Sequence, residues 1–295
     1  MLALVFFVAN MKPNSAGPKS RFIDNKTNST HYIDWEGEGP TTVLIHGDMR
    51  TSRSFDAVSK NLSKDSHVLA MDLLGHGDSS WIESGYRFTD RSDDIENFVT
   101  KTNLNEIHAV AHSTGAVALV MHVADNPSRF KKLVLMEPMI VVDEKFQRMV
   151  SDRGNRPRVT WKDHDQLKDF LGKHEVTSKW HPAVIDDVVR HETFLDKDGR
   201  VDMKWSSATL RWDERENDYL DLEPALRAIS IPILLVVGGN RVDGFRKAFE
   251  FENALPNLKT VIISGTGHNM YMERPKAVAD VIRKFRNSSP IPERI

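Results

Sequence analysis

Short, continuous apolar segments recur along this chain and alternate with segments of helical periodicity. Each has about the length of a β-strand and is mostly apolar, which is typical of strands buried on both faces of a sheet. Strands that alternate with helices are joined by right-handed crossovers, so neighbouring strands run parallel. The apolar segments lie at 43–45, 67–71, 107–110, 132–136, 233–237 and 260–263. The sequence therefore predicts an α/β fold, with a mostly parallel central sheet and helices on both faces.

The alternation stops between residues 139 and 228. This segment is charged, mostly helical in pattern and carries Trp161, Trp180, Trp205 and Trp212. We expect it to be a helical cap inserted after the sixth strand and folded over the strand ends, where such covers exclude water and shape specificity. The predicted core then comprises two further segments, and we expect a disordered or flexible N-terminal tail and a short C-terminal tail. The core segments are 20–138 and 229–288, and the tails are 1–19 and 289–295.

Composition excludes several classes of function. The chain has 295 residues, a net charge of −2 and no cysteine. A charge so close to zero predicts no nucleic-acid partner. The lack of cysteine excludes disulfides, a thiol nucleophile and a cysteine metal site. The apolar stretch at residues 1–9 is shorter than the roughly 20 residues of a membrane span. We expect a cytoplasmic monomer or homodimer without stable membrane insertion.

Motifs for metals and cofactors are incomplete, so we predict neither. His191-Glu192 is not followed by a second histidine four positions after the first, as a metal hydrolase motif requires. Gly75-His76-Gly77 lacks the third glycine of a dinucleotide site.

Ala111-His112-Ser113-Thr114-Gly115 lies between an apolar strand and a helical segment. A serine with small residues two positions before and after it, at a strand-to-helix corner, is typical of a nucleophile elbow. The turn leaves no room for larger side chains at those two positions, and it strains the backbone of the serine. The strain lifts the hydroxyl clear of the sheet. We therefore interpret Ser113 as a nucleophile.

Three more motifs accompany this corner: His46-Gly47, the Asp72–Ser79 segment and Gly265-Thr266-Gly267-His268. Their order and their positions after successive strands resemble those of the α/β-hydrolases, and the resemblance covers about residues 20–288. It implies a serine hydrolase of the esterase or lactonase type, with a helical cap, an acyl-enzyme intermediate and no cofactor. It implies that His268 is the general base and that an oxyanion hole is formed by the backbone N–H groups of Asp48 and Thr114.

The acid that orients the histidine has two candidates. In most relatives an aspartate follows the strand after the insert in a Gly-x-x-Asp pattern, but here counting three from Gly238 or Gly239 reaches Arg241 or Val242, and Asp243 lies just beyond. In a second arrangement, which resembles the haloalkane dehalogenases and the zearalenone lactonases, the acid follows the previous strand. Glu137 occupies that position. We favour Glu137 and keep Asp243 as the alternative.

A carboxylate beside an oxyanion hole would repel the charge that the hole stabilises. We therefore expect the side chain of Asp48 to turn outward or to pair with Arg50 or Arg53.

The predicted reaction is hydrolysis of a carboxylic ester or lactone, and the predicted substrate is small and apolar or aromatic. A serine at position 113 argues against dehalogenases and epoxide hydrolases of this fold, which use aspartate. Two alternatives stay open: a carbon–carbon bond hydrolase of the same fold, and a non-enzymatic small-molecule receptor.

Overall fold

A computed structural model describes residues 17–25, 28–83, 86–212 and 220–295 of the chain. Most of the predicted N-terminal tail therefore lies outside the described residues. In the part that is described, β1 begins at Lys19.

The described residues form an eight-stranded central sheet with the order β1-β2-β4-β3-β5-β6-β11-β12. From β4 onward the neighbouring strands run parallel, and β1 and β2 are antiparallel to their neighbours. The predicted α/β fold with a mostly parallel sheet is confirmed. The strands are β1 (Lys19–Asp24), β2 (Ser29–Asp34), β3 (Thr41–Ile45), β4 (His67–Met71), β5 (Ile107–His112), β6 (Phe130–Met136), β11 (Ile233–Gly238) and β12 (Leu258–Ile263).

Helices cover both faces of the sheet. Side chains of alternate strand residues accordingly belong to two separate apolar clusters, one on each face. One cluster includes Val43 and Ile45, whereas Leu44 between them belongs to the other. Burial on both faces explains why β3 to β6, β11 and β12 are mostly apolar in the sequence. The helices outside the insert are α1 (Asp56–Leu62), α2 (Phe88–Lys101), α3 (Ser113–Asp125), α8 (Arg246–Ala254), α9 (Met270–Glu273) and α10 (Pro275–Arg286), and a 3₁₀ turn, Ser52–Phe55, precedes α1.

Residues 137–232 connect β6 to β11, and we call them the insert. Besides helices, its described part contains two small antiparallel sheets, one from β7 and β10 and one from β8 and β9. Its elements are β7 (Val141–Val142), α4 (Glu144–Gly154), α5 (His164–Lys173), α6 (Pro182–His191), β8 (Thr193–Leu195), β9 (Val201–Met203), β10 (Leu220–Asp221) and α7 (Glu223–Ala228). The expected cap over 139–228 falls within this segment.

Residues 293–295, which we expected to be part of a C-terminal tail, pair with β12. The N–H of Ile262 donates to the carbonyl of Glu293 at 2.8 Å, and the N–H of Ile295 donates back to Ile262 at 2.9 Å. The N–H of Ser264 donates to Ile295 at 2.7 Å. The unpaired edge of β12 attracts this segment because its backbone groups need partners.

Candidate active site

Ser113 occupies a strained corner between β5 and α3. Its φ is 52°, a left-handed value that costs a residue with a Cβ roughly 1–2 kcal/mol. The corner is also crowded, since a Cβ on Gly115 would lie 2.1 Å from the carbonyl oxygen of His46. A glycine is therefore required at Gly115, and the backbone has the shape that the sequence motif predicts.

His268 follows β12 and contacts Glu137, which follows β6. Nδ1–H of His268 donates to Oε2 of Glu137 at 2.6 Å, and the backbone N–H of Gly238 donates to Oε1 of Glu137 at 3.0 Å. Glu137 is fully buried and has a φ of 44°. This pairing places the proton of His268 on Nδ1 and leaves Nε2 with a lone pair, as a general base requires.

Asp243, the alternative acid, lies at the surface. Its side chain is 95% exposed and pairs with Arg246 at 3.2 Å. Arg241 is the residue that lies next to the buried acid, with Nε 3.6 Å from Oε2 of Glu137. The position reached by counting three from Gly238 therefore carries a cation that stabilises the negative charge of Glu137.

His112 joins the Ser113 corner to the His268 loop. Its Nε2–H donates to the backbone carbonyl of His268 at 2.9 Å, and the two imidazole rings lie 4.5 Å apart. Burial and the neighbouring His268 hold the pKa of His112 well below its ordinary value, so this ring is neutral. Glu273 fixes the same loop, because its carboxylate accepts the N–H of Gly267 at 3.0 Å. Ser113 and His268 thus lie on segments that are in direct contact.

Asp48 and Thr114 also touch each other. The backbone N–H of Asp48 donates to the hydroxyl of Thr114 at 2.9 Å, so the two predicted oxyanion donors belong to residues in contact. We predicted that the side chain of Asp48 turns outward or pairs with Arg50 or Arg53, and this prediction was wrong. It pairs instead with Arg91, a fully buried cation, at 2.8 Å.

The pairing of Asp48 with Arg91 has a physical reason. A carboxylate held inside the protein needs an opposite charge to offset its desolvation. Arg91 lies on the inward face of α2, between the buried Phe88 and Ile95, and supplies that charge. The sequence does contain a signal for this partner, because an arginine among the inward-facing residues of a helix requires a buried acceptor.

A second buried ion pair links the loop after β3 to the insert. Nη1 of Arg50 lies 3.6 Å from Oε2 of Glu192, and Ser54 donates its hydroxyl to Oε1 of Glu192 at 2.5 Å. Burial raises the pKa of the fully buried Glu192 to about 7, while Arg50 opposes that rise. This pair was not predicted from the sequence, because its members are far apart in the chain.

The tryptophans of the insert have packing partners. Trp212 is 1% exposed, and its ring lies edge-on to Phe88 at 5.2 Å. The guanidinium of Arg50 lies 4.8 Å from the ring centroid of Trp180. These contacts hold the insert on the sheet domain. An apolar or aromatic substrate stays a prediction.

Comparisons with known proteins agree with this architecture. The sequence matches the alpha/beta hydrolase family over residues 42–281, so the chain belongs to that family. A 2-(acetamidomethylene)succinate hydrolase of Mesorhizobium japonicum is 24% identical over 254 residues, which cover 85% of this chain and 89% of the relative. A protein of Bacillus subtilis described as the uncharacterized carboxylesterase nap is 23% identical over 280 residues, 92% of this chain and 87% of that one.

A solved structure shows the same fold. The crystal structure of an E-2-(acetamidomethylene)succinate hydrolase superposes with a TM-score of 0.81 at 23% identity, over 92% of this chain and 99% of that one. The predicted membership of the α/β-hydrolases is confirmed, and membership supports a hydrolase as the class of enzyme. Within the described ranges, every helix is too short or too polar to cross a membrane.

Proposed function

We propose that the chain is a serine hydrolase that cleaves a carboxylic ester or lactone through an acyl-enzyme intermediate. The observation that carries this proposal is the 2.6 Å hydrogen bond between His268 and the buried Glu137. The loop that carries His268 also contacts the strained Ser113 corner. A relative described as a carboxylesterase supports ester chemistry.

The proposed mechanism assigns one role to each group. Nε2 of His268 removes the proton from Ser113, and Oγ of Ser113 attacks the substrate carbonyl. Glu137 holds the imidazole in the required tautomer and stabilises the imidazolium that forms. The N–H groups of Asp48 and Thr114 donate to the developing oxyanion. His268 then protonates the leaving alkoxide, and a water molecule deprotonated by His268 hydrolyses the acyl-enzyme.

In this mechanism the backbone N–H of Asp48 must become available to the oxyanion. It now donates to the hydroxyl of Thr114, so an arriving oxyanion must take over or share that N–H. The carboxylate of Asp48 is neutralised by Arg91, which reduces its repulsion of the oxyanion. The ion pair therefore makes an aspartate acceptable at this position.

An active-site probe tests the proposal. A fluorophosphonate should label the wild-type protein and should fail to label Ser113→Ala, while Ser178→Ala, which changes an exposed serine, should be labelled normally. Turnover of p-nitrophenyl esters of graded acyl length and of simple lactones should fall by several orders of magnitude in Ser113→Ala and in His268→Ala.

The outcomes separate the alternatives. Labelling without ester or lactone turnover would leave a carbon–carbon bond hydrolase as the better assignment. If a folded protein showed no labelling and no turnover, the enzymatic proposal would be contradicted. A small-molecule receptor would then be the favoured assignment. Labelling that persists in Ser113→Ala would show that another residue is the nucleophile.

A further inference from the structure

Three metal-ligating side chains meet where the insert packs against the sheet domain. Asp56 begins α1, and Asp187 and His191 lie on α6. Residues four apart on a helix project from the same face, so Asp187 and His191 point together toward Asp56. A carboxylate oxygen of each aspartate and a nitrogen of His191 lie within 4.8 Å of one another.

The carboxylate of Asp56 is only partly satisfied. Asp56 is 8% exposed, and its Oδ2 accepts from Nη1 of Arg53 at 3.1 Å. Its Oδ1 is buried and has no hydrogen-bond partner among the described residues. A buried acceptor without a partner costs about 1–3 kcal/mol, and more when it is charged. This oxygen therefore points to a ligand that the protein itself does not supply.

Burial shifts the pKa of each of the three side chains. Burial lowers the pKa of His191, and the nearby Arg53, Arg190 and Lys204 lower it further, so its imidazole is neutral with a free lone pair at neutral pH. Burial raises the pKa of Asp187, and it raises that of Asp56 to about 7.

The cluster lies at the wall of a surface groove. A broad surface groove is lined by Asp56, Asp187 and His191, together with Arg53 and Lys60. An ion can therefore enter without unfolding of the insert, and water can complete its coordination.

We propose that Asp56, Asp187 and His191 bind a first-row divalent cation, with Zn²⁺ preferred, that ties the insert to the sheet domain. One imidazole and two carboxylates suit Zn²⁺, whereas Mg²⁺ prefers oxygen ligands only. Bond lengths of about 2.0–2.2 Å place ligand atoms roughly 3.3–3.6 Å apart, so small side-chain rotations complete the site. The incomplete motif at His191-Glu192 lacks a histidine downstream, but Asp187 lies four positions upstream.

The test is calorimetric titration of the untagged, chelator-treated full chain with Zn²⁺ alone, in parallel with thermal unfolding. We expect one Zn²⁺ per chain at micromolar concentrations, a higher unfolding temperature with Zn²⁺, and no comparable effect of Mg²⁺. In Asp187→Asn and in His191→Ala the affinity should fall at least about tenfold, and the thermal shift should disappear.

Asp186→Asn is the matched control. Asp186 lies beside Asp187 on the same helix but pairs with Lys168 and is outside the cluster, so its loss removes one negative charge without removing a ligand. This variant should bind Zn²⁺ like the wild type. Absence of saturable binding, or binding that survives in both ligand variants, would overturn the proposal. None of these measurements depends on hydrolase activity, so their failure leaves the proposed function standing.

Discussion

At the scale of single residues, Glu137 decides how this site is assembled. It is fully buried and receives hydrogen bonds from His268 and from the N–H of Gly238, and Nε of Arg241 lies 3.6 Å from the same oxygen that His268 contacts. Hydrogen bonds and an opposite charge are what keep a carboxylate ionised inside a protein. In the proposed mechanism, the carboxylate of Glu137 fixes the tautomer of His268.

Exchange of Glu137 for glutamine tests that role. Glu137→Gln should lower kcat for a p-nitrophenyl ester by up to about 10⁴-fold, because an amide that donates its N–H to His268 favours the wrong tautomer. Asp243→Asn should leave kcat within about twofold, since Asp243 is 95% exposed and pairs with Arg246. The reverse order would assign the acid to Asp243.

At the scale of elements, close contact between backbones shapes the corner between β5 and α3. Gly115 lies in the first turn of α3 and has no room for a side chain against the carbonyl of His46. Gly172 lies in α5, is exposed, and has no described atom within 4 Å of where a Cβ would be. The same substitution at these two helical glycines should therefore have opposite effects.

Gly115→Ala should lower the free energy of unfolding by about 1–3 kcal/mol or prevent folding, because the clash is with backbone that must move. Gly172→Ala should raise it by up to about 1 kcal/mol through the higher helix propensity of alanine. Urea unfolding followed by circular dichroism measures both. If Gly115→Ala left the free energy of unfolding unchanged, the tight packing at the corner would be contradicted.

The elements also show what could be predicted from the sequence. The six parallel strands and the Ser113 corner were predictable because they depend on local apolar runs and on small residues at fixed spacing. The polar strands β1 and β2 and the short strands of the insert carry no such signal and were not predicted. The partner of Asp48 was not, since Arg50 and Arg53 are near in sequence whereas Arg91 comes close only through the packing of α2 on the sheet. The choice of Glu137 over Asp243 depended on a family resemblance, because which strand end faces His268 is a property of the assembled sheet.

At the scale of the whole molecule, the contact between Glu192 and Ser54 joins the insert to the sheet domain. The pKa of Glu192 is raised to about 7 in the folded protein, mainly by burial. Between the ordinary pKa of a glutamate and pH 7, the folded protein therefore holds a proton that the unfolded chain has released. Under those conditions the free energy of unfolding decreases as pH rises.

Glu192→Gln should remove that part of the pH dependence. We expect the variant to match the wild type at pH 5 and to gain on it by on the order of 2–3 kcal/mol by pH 8. Urea unfolding at the two pH values provides the comparison, and the exposed Glu175→Gln is the control. A difference between variant and wild type that stays constant with pH would show that Glu192 does not carry the proton.

The pairing of residues 293–295 with β12 has a consequence for solubility. β12 is the last strand of the sheet, and its residues 261–263 are strongly apolar. An unpaired edge strand of this kind is a template on which another polypeptide can add a strand, which is a common route to aggregation. By satisfying the N–H and the carbonyl of Ile262, the final residues shield the sheet from intermolecular growth, so their removal exposes a self-adhesive surface.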